Sequence, residues 1–213
     1  MIFVALDIGN VLVYSRFKQF LEQLSKTLNI TLEEAEYFMN RTQKLHDLGH
    51  TKMADELRDH FKIRSQITIT ELTDNWKQVI VPDINVIHML NDISKKRDLR
   101  VALVSNVGLE HAEQMERILK DAAFYKNCVK FFSCHVGARK PSLLYYHLFL
   151  QLHPEWQHCI YVDDLQENLD ASEQFKFTTF KFCLSESLSE NKKNIKELKD
   201  KILDSDTNIF AKR

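Results

Sequence analysis

The chain has 213 residues, 44% of them hydrophobic and 28% charged, with a net charge of −1. That length supports one well-filled core with a smaller inserted lobe, and the near-neutral balance argues against nucleic acid or an anionic membrane as partner. No apolar run approaches the roughly 20 residues of a membrane span, and an N-terminus with no basic region, interrupted early by Asp7, does not read as a signal peptide.

The first predicted element is an apolar strand, Ile2–Leu6, which delivers Asp7 into a loop at Gly9 before Val11, Leu12 and Val13 resume. A carboxylate at the end of a buried strand is costly without a partner, which marks Asp7 as a candidate reactive group. Residues 15 to about 97 read as helices with no clear strand. Phe17, Phe20, Leu21, Leu24 and Leu28 form one stripe, and "TLEE" (Thr31 to Glu34) and "TITE" (Thr68 to Glu71) each read as a capping box that starts a helix. Met53, Leu57 and Phe61, then Leu72 and Trp76, fall at helical spacing. Pro82 introduces a further helix with Ile84, Ile87, Leu90 and Ile93 inward. His46 and His50 lie four apart, but Gly49 is expected to end their helix and no HExxH accompanies them. The pair therefore reads as structural or solvent-facing, with a substrate contact as the alternative.

Beyond residue 97 the pattern changes. Strand-like runs at Arg100–Val104, Val129–Cys134, Cys159–Val162 and Phe177–Cys183 alternate with helical segments. One helix places Met115, Ile118 and Leu119 on a face. Another, entered at Pro141, places Leu144, Tyr145, Leu148, Phe149 and Leu152 likewise. A charged tail helix turns Ile195, Leu198 and Ile202 inward. Such alternation predicts an α/β fold, a Rossmann-like doubly wound parallel sheet built from residues 1–14 and 98–213. Residues 15–97 would be an inserted all-helical cap with its return helix, standing over the C-terminal edge of the sheet. The four cysteines show no CxxC and read as buried, reduced thiols of a cytoplasmic protein, monomer or homodimer.

The strand exits carry the polar groups. Strand one ends in Asp7; the second ends "ALVSN" with Ser105 and Asn106. The third leads through "CHVGARKPS" to Lys140, and the fourth ends "IYVDD" with Asp163 and Asp164, Asn168 lying a turn further on. In a doubly wound sheet these exits converge on one crevice. Asp7 and Asp164 could hold a hard divalent cation such as Mg²⁺. Lys140, the Ser105 hydroxyl, the Asn106 amide and loop N–H groups would bind a phosphoryl group of a small-molecule substrate, and Asp7 could attack phosphorus to give an aspartyl-phosphate. Asp163 would orient Lys140 or the metal's waters, Asn168 would support the metal shell, and His135, on the loop before Lys140, is a further candidate phosphate contact.

The motifs "LDIGNVL", "LVSN", "ARKPS" and "YVDDLQEN", in that order, resemble the haloacid dehalogenase superfamily, in its subgroup with a helical cap. The resemblance spans residues 2 to about 183. It implies Asp7 as nucleophile, Asp164 as metal ligand, Ser105 and Lys140 as phosphate-binding residues, and Mg²⁺ as cofactor of a phosphomonoesterase. The form "DIGNV" is similar to a branch that includes phosphatases of glucose 1-phosphate. Most phosphatases of the family carry a second aspartate two residues after the nucleophile, as general acid and base. Here that position is Gly9, which can offer only its backbone carbonyl to the metal, while the neighbouring Asn10 offers an amide to phosphate but no transferable proton. General acid/base help is worth roughly 10²–10⁴-fold. Its loss leaves three readings: substrates with good leaving groups, a proton supplied by a cap histidine or by the substrate, or a catalytically weak phosphate-ligand binding or regulatory protein. A 2-haloacid dehalogenase, which uses the same aspartate without metal, is less favoured because the Asp163–Asp164 pair is retained.

Overall fold

The structure, a computed structural model, describes residues 1–210, and for 206–210 the backbone alone. Strand β1 (Ile2–Leu6) leads through a loop to β2 (Val13–Ser15). Helices α1 (Phe17–Leu28), α2 (Leu32–Asp47), α3 (Met53–Phe61) and α4 (Gln66–Lys77) come next, then β3 (Ile80–Pro82) and α5 (Ile84–Lys96). The rest alternates: β4 (Leu99–Ser105), α6 (Leu109–Leu119), β5 (Val129–Phe132), a single turn α7 (Ser133–Val136), α8 (Leu143–Leu152), β6 (Ile160–Asp163), α9 (Gln166–Glu173), β7 (Thr178–Lys181) and α10 (Leu188–Phe210).

Five parallel strands form one sheet in the order β5-β4-β1-β6-β7. The chain builds outward from β1 through β4 to β5, then crosses back to place β6 on the other side of β1. That reversal is the topological switch point, where open α/β sheets leave a crevice beyond their carboxyl ends. The sheet is covered on both faces, as parallel sheets require. On one side Val4, Leu6 and Leu103 pack with Leu90 of α5, Met115 of α6 and Leu198 and Ile202 of α10. On the other, Ala5, Val104 and Tyr161 pack with Tyr145, Tyr146 and Phe149 of α8 and with Leu169 of α9. No helix among the described residues is long and apolar enough to cross a membrane.

Helices α1 to α4 form the helical cap and enclose an apolar core of their own, with Phe20, Leu24, Phe38, Leu57, Leu72 and Trp76 at its centre. The Thr31 capping box is present: its hydroxyl accepts the Glu34 N–H at 3.1 Å while Glu34 accepts the Thr31 N–H at 2.8 Å. The second expected box is not. Helix α4 begins three residues earlier than a Thr68 cap would place it, capped by the Ser65 hydroxyl, which accepts the Thr68 N–H at 3.2 Å. A serine ahead of the helix serves the N–H of its own N3 residue, Thr68, as a Thr68 cap was expected to serve that of Glu71.

Several other expectations need correction. The interval after β1 does contain strands: β2 and β3 pair antiparallel, tying the two cap connections together. At three residues each they are too short to show alternation. The buried face of α8 is Tyr145, Tyr146 and Phe149, leaving Leu144 and Leu152 exposed, and Ile84 of α5 is exposed where Val86 and Met89 are buried. The expected strand Val129–Cys134 stops at Phe132, since Ser133 and Cys134 enter the α7 turn. Of the four thiols, all free, Cys159 is buried, Cys128 and Cys134 are half-buried and Cys183 is exposed.

Candidate active site

Every side chain named at a strand exit, apart from Asp163, lines one cavity of about 310 Å³ above the switch point. Its floor comes from the ends of β1, β4 and β6. Asp7 is held where β1 finishes by its N–H, which donates to the Val162 carbonyl at 2.9 Å. The Lys140 ammonium is 1% exposed and lies 2.9 Å from Asp7 Oδ1 and 2.7 Å from Asp163 Oδ2, with its third donor on the Val104 carbonyl at 2.9 Å. Breaking such a buried pair by removing one partner strands a charge without a counterion.

Asp163 is fully buried and spends both oxygens. Oδ2 accepts from Lys140 and from the Tyr161 hydroxyl at 2.8 Å; Oδ1 accepts from the Leu165 N–H at 3.0 Å and from Asn168 Nδ2 at 2.9 Å. It therefore orients Lys140. Burial would raise its carboxyl, but Lys140 and Asn168 hold it below the usual carboxylate range. Burial likewise works against the Lys140 charge, and the two aspartates overcome it and keep the ammonium well above its ordinary value. Asp7 responds the other way: burial pushes it up to about 6 against the pull of Lys140 and the Ser105 hydroxyl. Burial also raises Asp164, opposed by a hydrogen bond from Asn10 Nδ2 to its Oδ2 at 3.0 Å.

Two amides expected at the phosphate serve other partners. Asn106 Oδ1 accepts the Lys140 N–H at 2.8 Å and its Nδ2 donates to the Lys140 carbonyl at 2.9 Å. This amide clamps the Lys140 backbone and commits one of its two Nδ2 protons there. Asn10, at φ 51°, turns its Nδ2 to Asp164 and so positions a carboxylate. His135 is exposed, packs on the Phe132 ring and lies outside the lining of the cavity where a phosphate contact was expected. His50 is exposed and shares no metal site with buried His46.

The charge balance bears on the metal. Asp7, Asp163 and Asp164 each bring a carboxylate oxygen within 4.8 Å of the others, the only such His/Cys/Asp/Glu group among the described residues. Three carboxylates face one ammonium, and Asn168 Oδ1 is buried with no hydrogen-bond partner. An oxygen-rich set with two uncompensated negative charges and an orphaned acceptor beside it fits a hard dication such as Mg²⁺. The ligands it would take are Asp7, Asp164 and the Gly9 carbonyl. Gly9 lines the cavity, and a Cβ there would meet nothing within 4 Å.

The roof belongs to the cap and was not legible in the sequence. Phe17, Met39, Gln43, His46 and Trp76 close over the floor. His46 Nε2 donates to Glu110 at 2.8 Å, and the other Glu110 oxygen accepts the Met53 N–H at 2.7 Å. Asp47 pairs with Arg139 at 2.9 Å, and its carbonyl accepts the Ser133 hydroxyl at 2.6 Å. His111 Nε2 donates to the Trp76 carbonyl at 2.7 Å. Each bond joins residues tens of positions apart, so no local pattern announces it.

Glu110 also sets a pH window. Burial would raise its carboxyl, but the His46 bond and charge and the Met53 N–H draw it down to about 2. The stability it confers is complete above its ordinary value of 4.5 and is lost as pH falls from there toward 2, by up to about 3 kcal/mol. Thermal melts between pH 5 and 2 should show a steeper decline for the native protein than for Glu110→Gln; parallel curves would show that this contact does not hold the cap.

No family profile and no curated protein matches the sequence. Solved structures do match. A haloacid dehalogenase family enzyme of Bacteroides thetaiotaomicron superposes with a TM-score of 0.67 at 15% identity, over 89% of this chain and 97% of that one. The same enzyme with magnesium and inorganic phosphate gives 0.65 at 16% identity, over 89% and 98%. An L-2-haloacid dehalogenase of Xanthobacter autotrophicus with chloropropionic acid covalently bound gives 0.56 at 12% identity, over 87% and 80%. The chain therefore has the haloacid dehalogenase-like fold, a Rossmann-like core with a helical cap.

Proposed function

We propose that the protein is a Mg²⁺-dependent phosphomonoester hydrolase acting on a small phosphorylated metabolite. The observation that carries this reading is the cluster at the switch point, where the Asp7 and Asp164 carboxylates, the buried Lys140 ammonium and the buried Ser105 hydroxyl face a single cavity, with Asp163 as the second carboxylate partner of Lys140. A dication there supplies charge neutralisation for the phosphoryl oxygens. The Ser105 hydroxyl and loop N–H groups donate to those oxygens. Asp7 attacks phosphorus in line and forms an aspartyl-phosphate, which water then hydrolyses. Lys140, fixed by Asp163 and by the Asn106 clamp, orients Asp7 and balances its charge; a phosphate oxygen that reaches Nζ replaces one of its present partners. On this reading residues 15–97 select the substrate. The sugar phosphates suggested by the "DIGNV" form are one class within its range.

The test is phosphate release from glycosyl, acyl, aryl and alkyl phosphates, with and without Mg²⁺, beside halide release from 2-chloropropionate. Mg²⁺-dependent phosphate release, fastest from the most acidic leaving groups, is the expected result. Halide release without metal would make the protein a dehalogenase, the chemistry of one enzyme that shares its fold. Saturable phosphate binding without turnover would make it a ligand-binding protein.

A further inference from the structure

Gly9 leaves the phosphohydrolase reading without a proton donor for the departing oxygen, and the cap offers a replacement. Resting on that reading, we propose that His46 gives the proton to the leaving group and later takes one from the attacking water, with Glu110 as its positioning residue. His46 stands at the end of α2, is 2% exposed, and lines the same cavity as Asp7, Gly9 and Ser105. Its ring lies against Gly108, three residues beyond Ser105, so closely that a Cβ at Gly108 would fall inside it. The Gly108 torsions are ordinary (φ −78°), so the glycine provides room for the ring and not a special backbone shape.

The hydrogen bonds assign the ring's two nitrogens. Nε2 is committed to the Glu110 carboxylate at 2.8 Å, while Nδ1 makes no hydrogen bond among the described residues. Any proton the ring exchanges with the cavity therefore passes through Nδ1. A carboxylate that fixes an imidazole through one nitrogen leaves the other free to exchange a proton, the arrangement of a histidine–acid pair. Glu110 is itself held by the Met53 N–H.

Other groups on the cap side fit the task less well. His111 donates Nε2 to the Trp76 carbonyl, and burial pushes it down to about 4, so near neutral pH it carries no spare proton. Asp47 is engaged with Arg139. The steps balance with His46 protonated on Nδ1. As Asp7 bonds to phosphorus, the P–O bond to the leaving group breaks and that oxygen takes the Nδ1 proton. Neutral His46 then accepts a proton from water as its oxygen attacks the aspartyl-phosphate. Phosphate leaves, Asp7 is restored and His46 is protonated again.

The experiment measures kcat and kcat/KM on aryl and alkyl phosphates of graded leaving-group basicity. The proteins are native, His46→Asn, Glu110→Gln and the double variant Gly9→Asp/His46→Asn. In kcat/KM, which reports the steps up to aspartyl-phosphate formation, His46→Asn should be little changed on the most acidic leaving groups and lose on the order of 10²-fold or more on alkyl phosphates. Its kcat on the acidic leaving groups should fall, because hydrolysis of the intermediate loses its base. Glu110→Gln, which keeps the ring in place, should shift in the same direction by less and carries the test if His46→Asn does not fold. In the double variant the new Asp, built where a Cβ meets nothing, should restore alkyl turnover. An equal loss of kcat/KM on every ester, with weaker binding of inorganic phosphate in Mg²⁺, would make His46 a packing residue and overturn the inference. Unchanged alkyl turnover in His46→Asn would overturn it too. If the native protein cleaves only acidic leaving groups, the phosphatase reading stands and the inference falls; if it cleaves no ester, both fall.

Discussion

Asp7→Asn is expected to lower phosphate release by on the order of 10⁴- to 10⁶-fold, the scale seen when a covalent nucleophile is removed. An amide oxygen carries no charge and cannot form the acyl-phosphate bond at a useful rate. The fold should survive the change. Burial raises the Asp7 carboxyl to about 6, so in the absence of a cation its negative charge opposes folding at neutral pH. A neutral side chain of the same shape removes that opposition, and Lys140 keeps Asp163 and the Val104 carbonyl as partners. The Asn variant should therefore melt no lower than the native protein, which separates lost chemistry from lost structure. Activity within tenfold of native would exclude Asp7 as nucleophile.

Lys140→Met should be the most damaging change to stability at the site. Methionine matches the length of the stem but leaves Asp7 and Asp163 facing each other, both buried, with no counter-charge between them. Removing one member of a buried ion pair costs about 3–5 kcal/mol, so a large drop in denaturation midpoint is expected. A cation on the carboxylate cluster would supply part of the missing charge. Mg²⁺ should consequently raise the melting temperature of Lys140→Met by more than it raises that of the native protein. Equal shifts in the two proteins would argue against a dication beside Asp7 and Asp164, and a midpoint loss under about 1 kcal/mol would show that the pair is solvated.

Local periodicity made much of this protein legible. Apolar runs that end in Asp7, Ser105 and Asp163 announce parallel strands, because a doubly covered strand must be apolar until it leaves the sheet. The polar residue that closes each run is then the group presented at the crevice. The helical cap was legible for the same reason, from stripes such as Phe20, Leu21 and Leu24 that are buried together. The errors are also local in origin. Ser65 caps α4 in place of Thr68, since either hydroxyl can serve an orphan N–H and spacing does not rank them.

By itself, then, the sequence determined the kind of fold and the chemical groups at the strand exits, because both depend on side-chain type and short-range spacing. Only the tertiary structure decided what each group faces. It turned the Asn106 amide onto the Lys140 backbone, the Asn10 amide onto Asp164, and all four hydrogen bonds of Asp163 inward. It brought His46 of the cap to Glu110 of the core, 64 residues away in the chain. Hydrogen bonds and burial depend on distances across the folded molecule, and those distances exist only once the cap has closed over the sheet.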